Sequence, residues 1–163
     1  RTTMNIEFGC GENPTRQGYK TCDIRNLPLI DFVCPAWDID ILVSHNTVDN
    51  IFSRHFFEHL TFMHGRKTLT AWSNIMKPGA TCEMILPNID FHIQQWISGK
   101  NIEHAQAGLW GWQRDSDTEV WDIHKSGYNF TTLEKVLVEE QFTNIECIKN
   151  KGKHLHVKFL KSI

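Results

Sequence analysis

The chain has 163 residues, 40% of them apolar, with Lys+Arg 17 against Asp+Glu 19 and a formal charge of −2. That length can bury the core of one domain without a disulfide or metal staple, and the near-balanced charge excludes a global field that would draw nucleic acid or anionic lipid. The apolar runs fall far short of the ~20 residues a spanning helix needs and no signal peptide is visible, so no membrane contact and a cytoplasmic location are expected.

Ile6 and Phe8 mark a first short strand that runs into Gly9-Cys10-Gly11, with Glu7 just before the turn. Two glycines one residue apart let a backbone approach a ligand closely, although glycines after a strand also make ordinary tight turns. Lys20 to Ile24 reads as a second strand with Asp23 near its end, Leu29 to Val33 as a third, and Asp49 to Ser53 as a fourth. From Phe56 the period turns helical. Gly65 to Met76 carries Leu69, Trp72, Ile75 and Met76 on one face, and Lys77-Pro78-Gly79 is expected to stop that helix. Cys82 to Leu86 is a strand ending at Pro87-Asn88.

Residues 92–128 show no clear helical period and are expected to form a loop-rich lid over the substrate. Trp96, Trp110, Trp112, Trp121 and Tyr128 would stack there on a sugar or ring, or make the lid's own core. A second amphipathic helix is expected over Thr132 to Gln141, with Leu133, Val136 and Leu137 inward and a capping box of Thr131 and Glu134. Asn144 to Lys149 and His154 to Leu160 close the chain as a strand pair. The five cysteines are odd in number and scattered, and no Cys or His pair has zinc spacing. Free thiols and no metal site are therefore expected.

Strands alternating with helices, then a final strand pair, predict an α/β fold: a Rossmann-like three-layer sandwich in one domain, residues 1–163. Its sheet is expected to be mostly parallel with an antiparallel pair at the C-terminus. Ligands of such sheets bind beyond the carboxyl ends of the strands. There Asp23 can accept ribose hydroxyls or serve as a strand-end turn acid, and Asp38 can accept an adenine amine or sit in a loop beside a packed Trp37. Gly11 and Asp23 are about a dozen residues apart, against ~20 for a dinucleotide fold, which disfavours NAD. A cofactor with a positive charge and no phosphate, S-adenosylmethionine, suits the acidic loop of Glu7 and Glu12.

Ile6-Glu7-Phe8-Gly9-Cys10-Gly11, Asp23, Phe57-Glu58-His59-Leu60, Met76-Lys77-Pro78-Gly79 and Ile85-Leu86-Pro87-Asn88, in that order, resemble the class I S-adenosylmethionine-dependent methyltransferases. The closer likeness is to small bacterial and phage enzymes with a G-C-G loop and an E-H-L after the fourth strand. The resemblance implies that Glu7, Phe8, Gly9, Cys10 and Gly11 line the methionine and ribose side of the cofactor. It implies Asp23 and Ile24 at the ribose, Asp38 and Ile39 at the adenine, and Ser53, Arg54 and His55 beside the methionine. The sequence departs from the family in replacing its third glycine by Asn13-Pro14, in Gln141, and in beginning at the first strand, which is expected either to leave the cofactor cleft more open or to leave room for a partner subunit, a homodimer among them, to cover it.

Methyl transfer needs a base only where the acceptor must lose a proton. His59, His124 and His55 are the candidates, with Glu58 and His59 as a helix cap the competing reading. The leading expectation is methyl transfer to a small-molecule or glycan acceptor, at a hydroxyl. The alternatives are a noncatalytic cofactor-binding subunit and a nucleic-acid methyltransferase. The acidity of the chain and the absence of an N-P-P-Y-type motif argue against the last.

Overall fold

The computed structural model describes residues 2–113 and 120–163. Among them, seven strands form one sheet: β1 (Asn5–Phe8), β2 (Lys20–Asp23), β3 (Phe32–Val33), β4 (Val48–Arg54), β5 (Met76–Pro87), β6 (Phe142–Lys149) and β7 (His154–Lys161). Their order is β3-β2-β1-β4-β5-β7-β6. The first five run parallel, while β7 lies antiparallel between β5 and β6. This is the expected Rossmann-like α/β architecture. The order reverses between β1 and β4, which opens a crevice beyond their carboxyl ends.

Parallel strands covered on both faces bury consecutive residues, and β1 does so from Ile6 through Phe8, polar Glu7 included. Ile6, Phe8, Ile51, Trp72, Met84 and Phe159 are essentially inaccessible to solvent. Trp72 centres this core, its ring centroid 4.9 Å from that of Phe8 and 6.5 Å from that of Phe57. Truncating such a side chain to alanine costs roughly 3–5 kcal/mol.

A short helix, α1 (Ile39–Leu42), precedes β4, and α2 (Phe62–Ile75) follows it. The Thr61 hydroxyl caps α2 by accepting the His64 N–H at 3.0 Å. The helix ends one residue before the expected Met76, which is already extended at φ −72°, ψ 139°. Pro78 drives the residue before it out of helical conformation, and Lys77-Pro78-Gly79 bulges where the β4–β5 register jumps from Val48↔Met76 to Asn50↔Thr81.

The expected loop-rich lid is instead largely helical: α3 (Ile89–Ser98) and α4 (Ile102–Trp110) pack on each other. Their burial explains why period analysis fails. On α3 only His92 is buried, and on α4 only Ala105 and Gly108, while Ile97 stays 70% exposed. Residues 114–119 of the expected lid lie outside the described residues. The last helix, α5 (Phe130–Glu139), starts two residues before the expected Thr132. Its capping box is Asn129 with Thr132, not Thr131 with Glu134: Asn129 Oδ1 accepts the Thr132 N–H at 2.8 Å and Thr132 Oγ1 accepts the Asn129 N–H at 3.1 Å. No described helix is long and apolar enough to cross a membrane.

Candidate functional site

The glycine loop after β1 is built by carboxylates. Glu7, buried, accepts hydrogen bonds from Thr15 N–H at 3.0 Å, Thr15 Oγ1 at 2.8 Å and Arg16 N–H at 3.0 Å, which fixes the returning half of the loop. Gly9 and Gly11 have φ of +70° and +60°, the region glycine enters freely. A Cβ on Gly9 would lie 2.2 Å from the Phe56 ring, so only glycine allows this crossing of β1 and the β4 loop. Asp23 completes the loop by accepting the Gly11 N–H at 3.1 Å. The same carboxylate takes Arg25 N–H at 2.9 Å and Arg25 Nε at 3.2 Å.

A cleft of about 170 Å³ opens beside this loop, with Gly9, Asp23, Ile24 and Arg25 on one side and Cys34 to Trp37 on another. Trp37 stacks on His64 at 3.8 Å between centroids. Several expected cofactor residues stand elsewhere. Phe8 is core, and Ile39 is fully buried away from the cleft, so the apolar wall is Pro35, Ala36 and Trp37 instead. Asp38 is half-buried outside the lining, with its N–H bonded to the Pro35 carbonyl at 2.9 Å. Glu7, Cys10 and Gly11 shape the loop without lining the cleft. Burial, and then the charges of Glu7 and Asp23, push the Cys10 thiol up to about 11. Ser53 is fully buried with its hydroxyl unpaired, and exposed Arg54 lines neither cavity.

A second cavity of about 400 Å³ lies on the far side of His55 and His59, beneath α3 and α4. Its lining includes Glu58, His92, His104, His124 and His154, and it shares His55, His59 and Asp122 with the first cleft. His92, His104 and His154 therefore belong to the site, although their spacing in the sequence carries no signal. His55 follows β4 at φ +51°, a strained setting for a non-glycine residue and one typical of functional positions. Glycines bring the far wall close. A Cβ on Gly108 would lie 2.2 Å from the His92 ring, and one on Gly111 would lie 1.9 Å from the Asp122 carbonyl oxygen.

Glu58 sits between the elements. Its backbone carbonyl accepts the N–H groups of Lys125 at 2.9 Å and Ser126 at 3.2 Å, pinning the segment that carries His124. The cap of α2 is Thr61, so Glu58 holds the loop but does not cap the helix. His59 Nδ1 lies 3.1 Å from the Ile123 carbonyl, and His124 Nδ1 lies 2.9 Å from the Gly108 carbonyl. Carbonyls only accept, so each Nδ1 carries the proton and each Nε2 presents a lone pair. Those Nε2 atoms stand 3.6 Å and 3.9 Å from Glu58 Oε2, with His55 Nδ1 at 4.0 Å. Glu58 Oε1 is buried without a hydrogen-bond partner among the described residues. Burial raises the Glu58 carboxyl to about 8 and lowers His55 and His124 to about 4, while His59 is lowered for the same reason.

Trp96, Trp110, Trp112 and Trp121 are each between 42% and 53% exposed, so they are not a lid core, whereas Tyr128 is buried. Trp112 lines the second cavity and Trp121 the first.

No protein-family model matches this sequence, and no curated protein matches it significantly. Solved structures share its fold. The CurJ carbon methyltransferase superposes with TM-score 0.65 at 16% identity, over 100% of this chain and 49% of that one, so this chain spans about half its length. A SAM dependent methyltransferase from Archaeoglobus fulgidus gives 0.64 at 13% identity, over 98% and 86%. The 1,6-didemethyltoxoflavin-N1-methyltransferase of Burkholderia thailandensis, solved with 1,6-didemethyltoxoflavin and S-adenosylhomocysteine, gives 0.63 at 13%, over 100% and 72%. At these identities the likeness is one of fold, and these neighbours are methyltransferases, one described as SAM dependent and one holding S-adenosylhomocysteine.

Proposed function

We propose that this chain binds S-adenosylmethionine in the cleft beside Gly9 and Asp23 and transfers its methyl group to a hydroxyl of a small-molecule or glycan acceptor held in the histidine-lined cavity. One observation carries the reading: in a fold shared with such methyltransferases, the two cavities meet at His55, His59 and Asp122. A donor in one and an acceptor in the other would face each other there.

The residues fit the cofactor. Gly9 keeps the loop crossing open where any Cβ would strike Phe56, and Asp23 presents a charged acceptor to ribose hydroxyls at the cleft wall. Pro35, Ala36 and Trp37 offer an apolar wall to a base. When bound, S-adenosylmethionine supplies an electrophilic methyl group on a sulfonium. The chain's part is to hold the acceptor oxygen in line in a site shielded from water and to lower the cost of losing its proton. Glu58, His59 and His124 are the groups gathered where that proton leaves. Half-exposed Trp112 offers a face for a sugar or ring at the cavity mouth.

Calorimetric titration with S-adenosylmethionine and S-adenosylhomocysteine tests the reading, with Asp23→Ala as control and melting curves to verify folding. Binding lost in the folded variant supports the cofactor site. Equal binding by the variant removes Asp23 from it, and no binding by the parent chain overturns the reading. Cofactor binding without turnover across hydroxyl acceptors, sugars first, would favour a noncatalytic subunit.

A further inference from the structure

We propose that Glu58, His59 and His124 form a binding site for a divalent transition-metal cation whose open coordination positions face the histidine-lined cavity, where they would take an oxygen of the acceptor. One carboxylate oxygen and one nitrogen from each imidazole lie within 4.8 Å of one another.

Orientation is the first argument. Each imidazole donates its Nδ1 proton to a fixed backbone carbonyl, Ile123 for His59 and Gly108 for His124. That second-layer contact sets the tautomer in metal-bound histidines and leaves Nε2 as the ligand atom. Both Nε2 atoms converge on Glu58 Oε2, at 3.6 Å and 3.9 Å. Tetrahedral zinc with bonds of roughly 2.0–2.1 Å sets its ligand atoms about 3.3 Å apart, so these edges close with small side-chain movements.

Unmet chemistry is the second. A carboxylate that ligates a cation is ionised, and in that form the trio offers acceptors only: carboxylate oxygens and imidazole lone pairs. The separations exceed hydrogen-bond length, and Glu58 Oε1 has no hydrogen-bond partner among the described residues. A buried, unpaired carboxylate is costly, and a cation on Oε2 supplies what the site lacks.

The third is rigidity and access. The Glu58 carbonyl ties down Lys125 and Ser126, and Gly111 lets α4 close onto the backbone beside His124, so the ligands are held before any cation arrives. Three protein ligands with open positions toward a cavity are the pattern of a reactive rather than a structural site. Two imidazoles and one carboxylate suit zinc, iron, cobalt or manganese better than calcium, which takes six or more oxygens.

The acceptor's place on the cation rests on the methyl-transfer reading; the cation site does not. Its test therefore omits S-adenosylmethionine. The chain, stripped with a chelator, is titrated calorimetrically with Zn(II), and Co(II) is followed by its visible d–d absorption. One equivalent should bind saturably, and His124→Ala and Glu58→Gln should each weaken it at least about a hundredfold, since even second-layer losses cost 10–100-fold. His45→Asn, at an exposed histidine that lines neither cavity, should bind as the parent does. X-ray absorption of the zinc-loaded parent should show two imidazoles, which keeps the test decisive if a variant misfolds. Absence of saturable binding, parent-like affinity in the folded variants, or a zinc shell without imidazole overturns the site. The remaining occupant would then be a proton on Glu58.

Discussion

The two cavities treat their carboxylates in opposite ways. On the proposed cofactor side, around the glycine loop, Glu7 and Asp23 are buried and accept several hydrogen bonds each, mostly from backbone N–H groups. On the proposed acceptor side, in the histidine-lined cavity, Glu58 is equally buried and its Oε1 has no partner among the described residues. Buried polar groups in folded proteins are satisfied as a rule, so the contrast separates a preassembled binding frame from a site that is completed by something bound. Thr15, Arg16 and Arg25 are the cofactor side's own completion; on the other side the histidines are aimed but not joined.

The glycines give the sharpest way to break each side alone. Gly9→Ala drives a Cβ into Phe56 at a positive φ, and Gly111→Ala drives one into the Asp122 carbonyl. Each should cost roughly 2–4 kcal/mol in urea unfolding. In the folded fraction, Gly9→Ala should lose S-adenosylmethionine binding and keep Zn(II), while Gly111→Ala should do the reverse. Joint loss of both ligands in either variant would show that the cavities are not separable. Asp23→Ala comes next. Losing a charged acceptor for ribose hydroxyls should weaken S-adenosylmethionine by about 10–100-fold, read by calorimetry, with Zn(II) affinity unchanged.

The unsatisfied side also predicts how the chelator-stripped chain responds to pH. Glu58 is raised in the folded state, so it binds a proton there that the unfolded chain has released. Its contribution is full below about 4.5 and is lost as pH rises through about 8, with a limiting slope of about 1.4 kcal/mol per unit. His55 and His124 are lowered, so their contribution is present above 6.5 and is lost as pH falls through about 4. Two imidazoles outweigh one carboxyl between 4.5 and 6.5, and above 6.5 the carboxyl acts alone. Thermal melts should therefore show maximal stability near pH 6.5 and a decline toward 8.5. Glu58→Gln should abolish the alkaline decline, and a parent chain equally stable at 6.5 and 8.5 would mean that Glu58 is not buried without a partner.

This division also marks what the sequence made legible. The strands, the glycine loop and Asp23 follow from short-range signals: apolar runs, paired glycines and an acid at a strand end. Ile39, expected at the adenine, is core, and the cleft's apolar wall is Pro35, Ala36 and Trp37; both segments are apolar, and only packing decides which faces the core. The acceptor side was barely legible. Its helices α3 and α4 bury one histidine and two small residues rather than an apolar stripe, and Gly108 looks like a helix breaker until the His92 ring is seen against it. His124 lies far along the chain from Glu58 and His59, so no ligand spacing exists to be read. Their convergence depends on a backbone contact, Glu58 carbonyl to Lys125 and Ser126, that no local pattern encodes.

The smallest expected effect probes whether the cofactor side is as complete as its hydrogen bonds suggest. Arg25 holds Asp23 through Nε at 3.2 Å and Nη2 at 3.4 Å, with its side chain 36% exposed. Ribose hydroxyls and this guanidinium compete for the same two oxygens, while the backbone N–H groups of Gly11 and Arg25 can stay bonded throughout. Displacing a partly exposed ion pair costs about 1 kcal/mol or less. Arg25→Ala should then tighten S-adenosylmethionine by no more than about fivefold and leave the loop folded. If affinity instead falls more than tenfold, Arg25 contacts the cofactor itself, and the side that looks finished would also be waiting for its ligand.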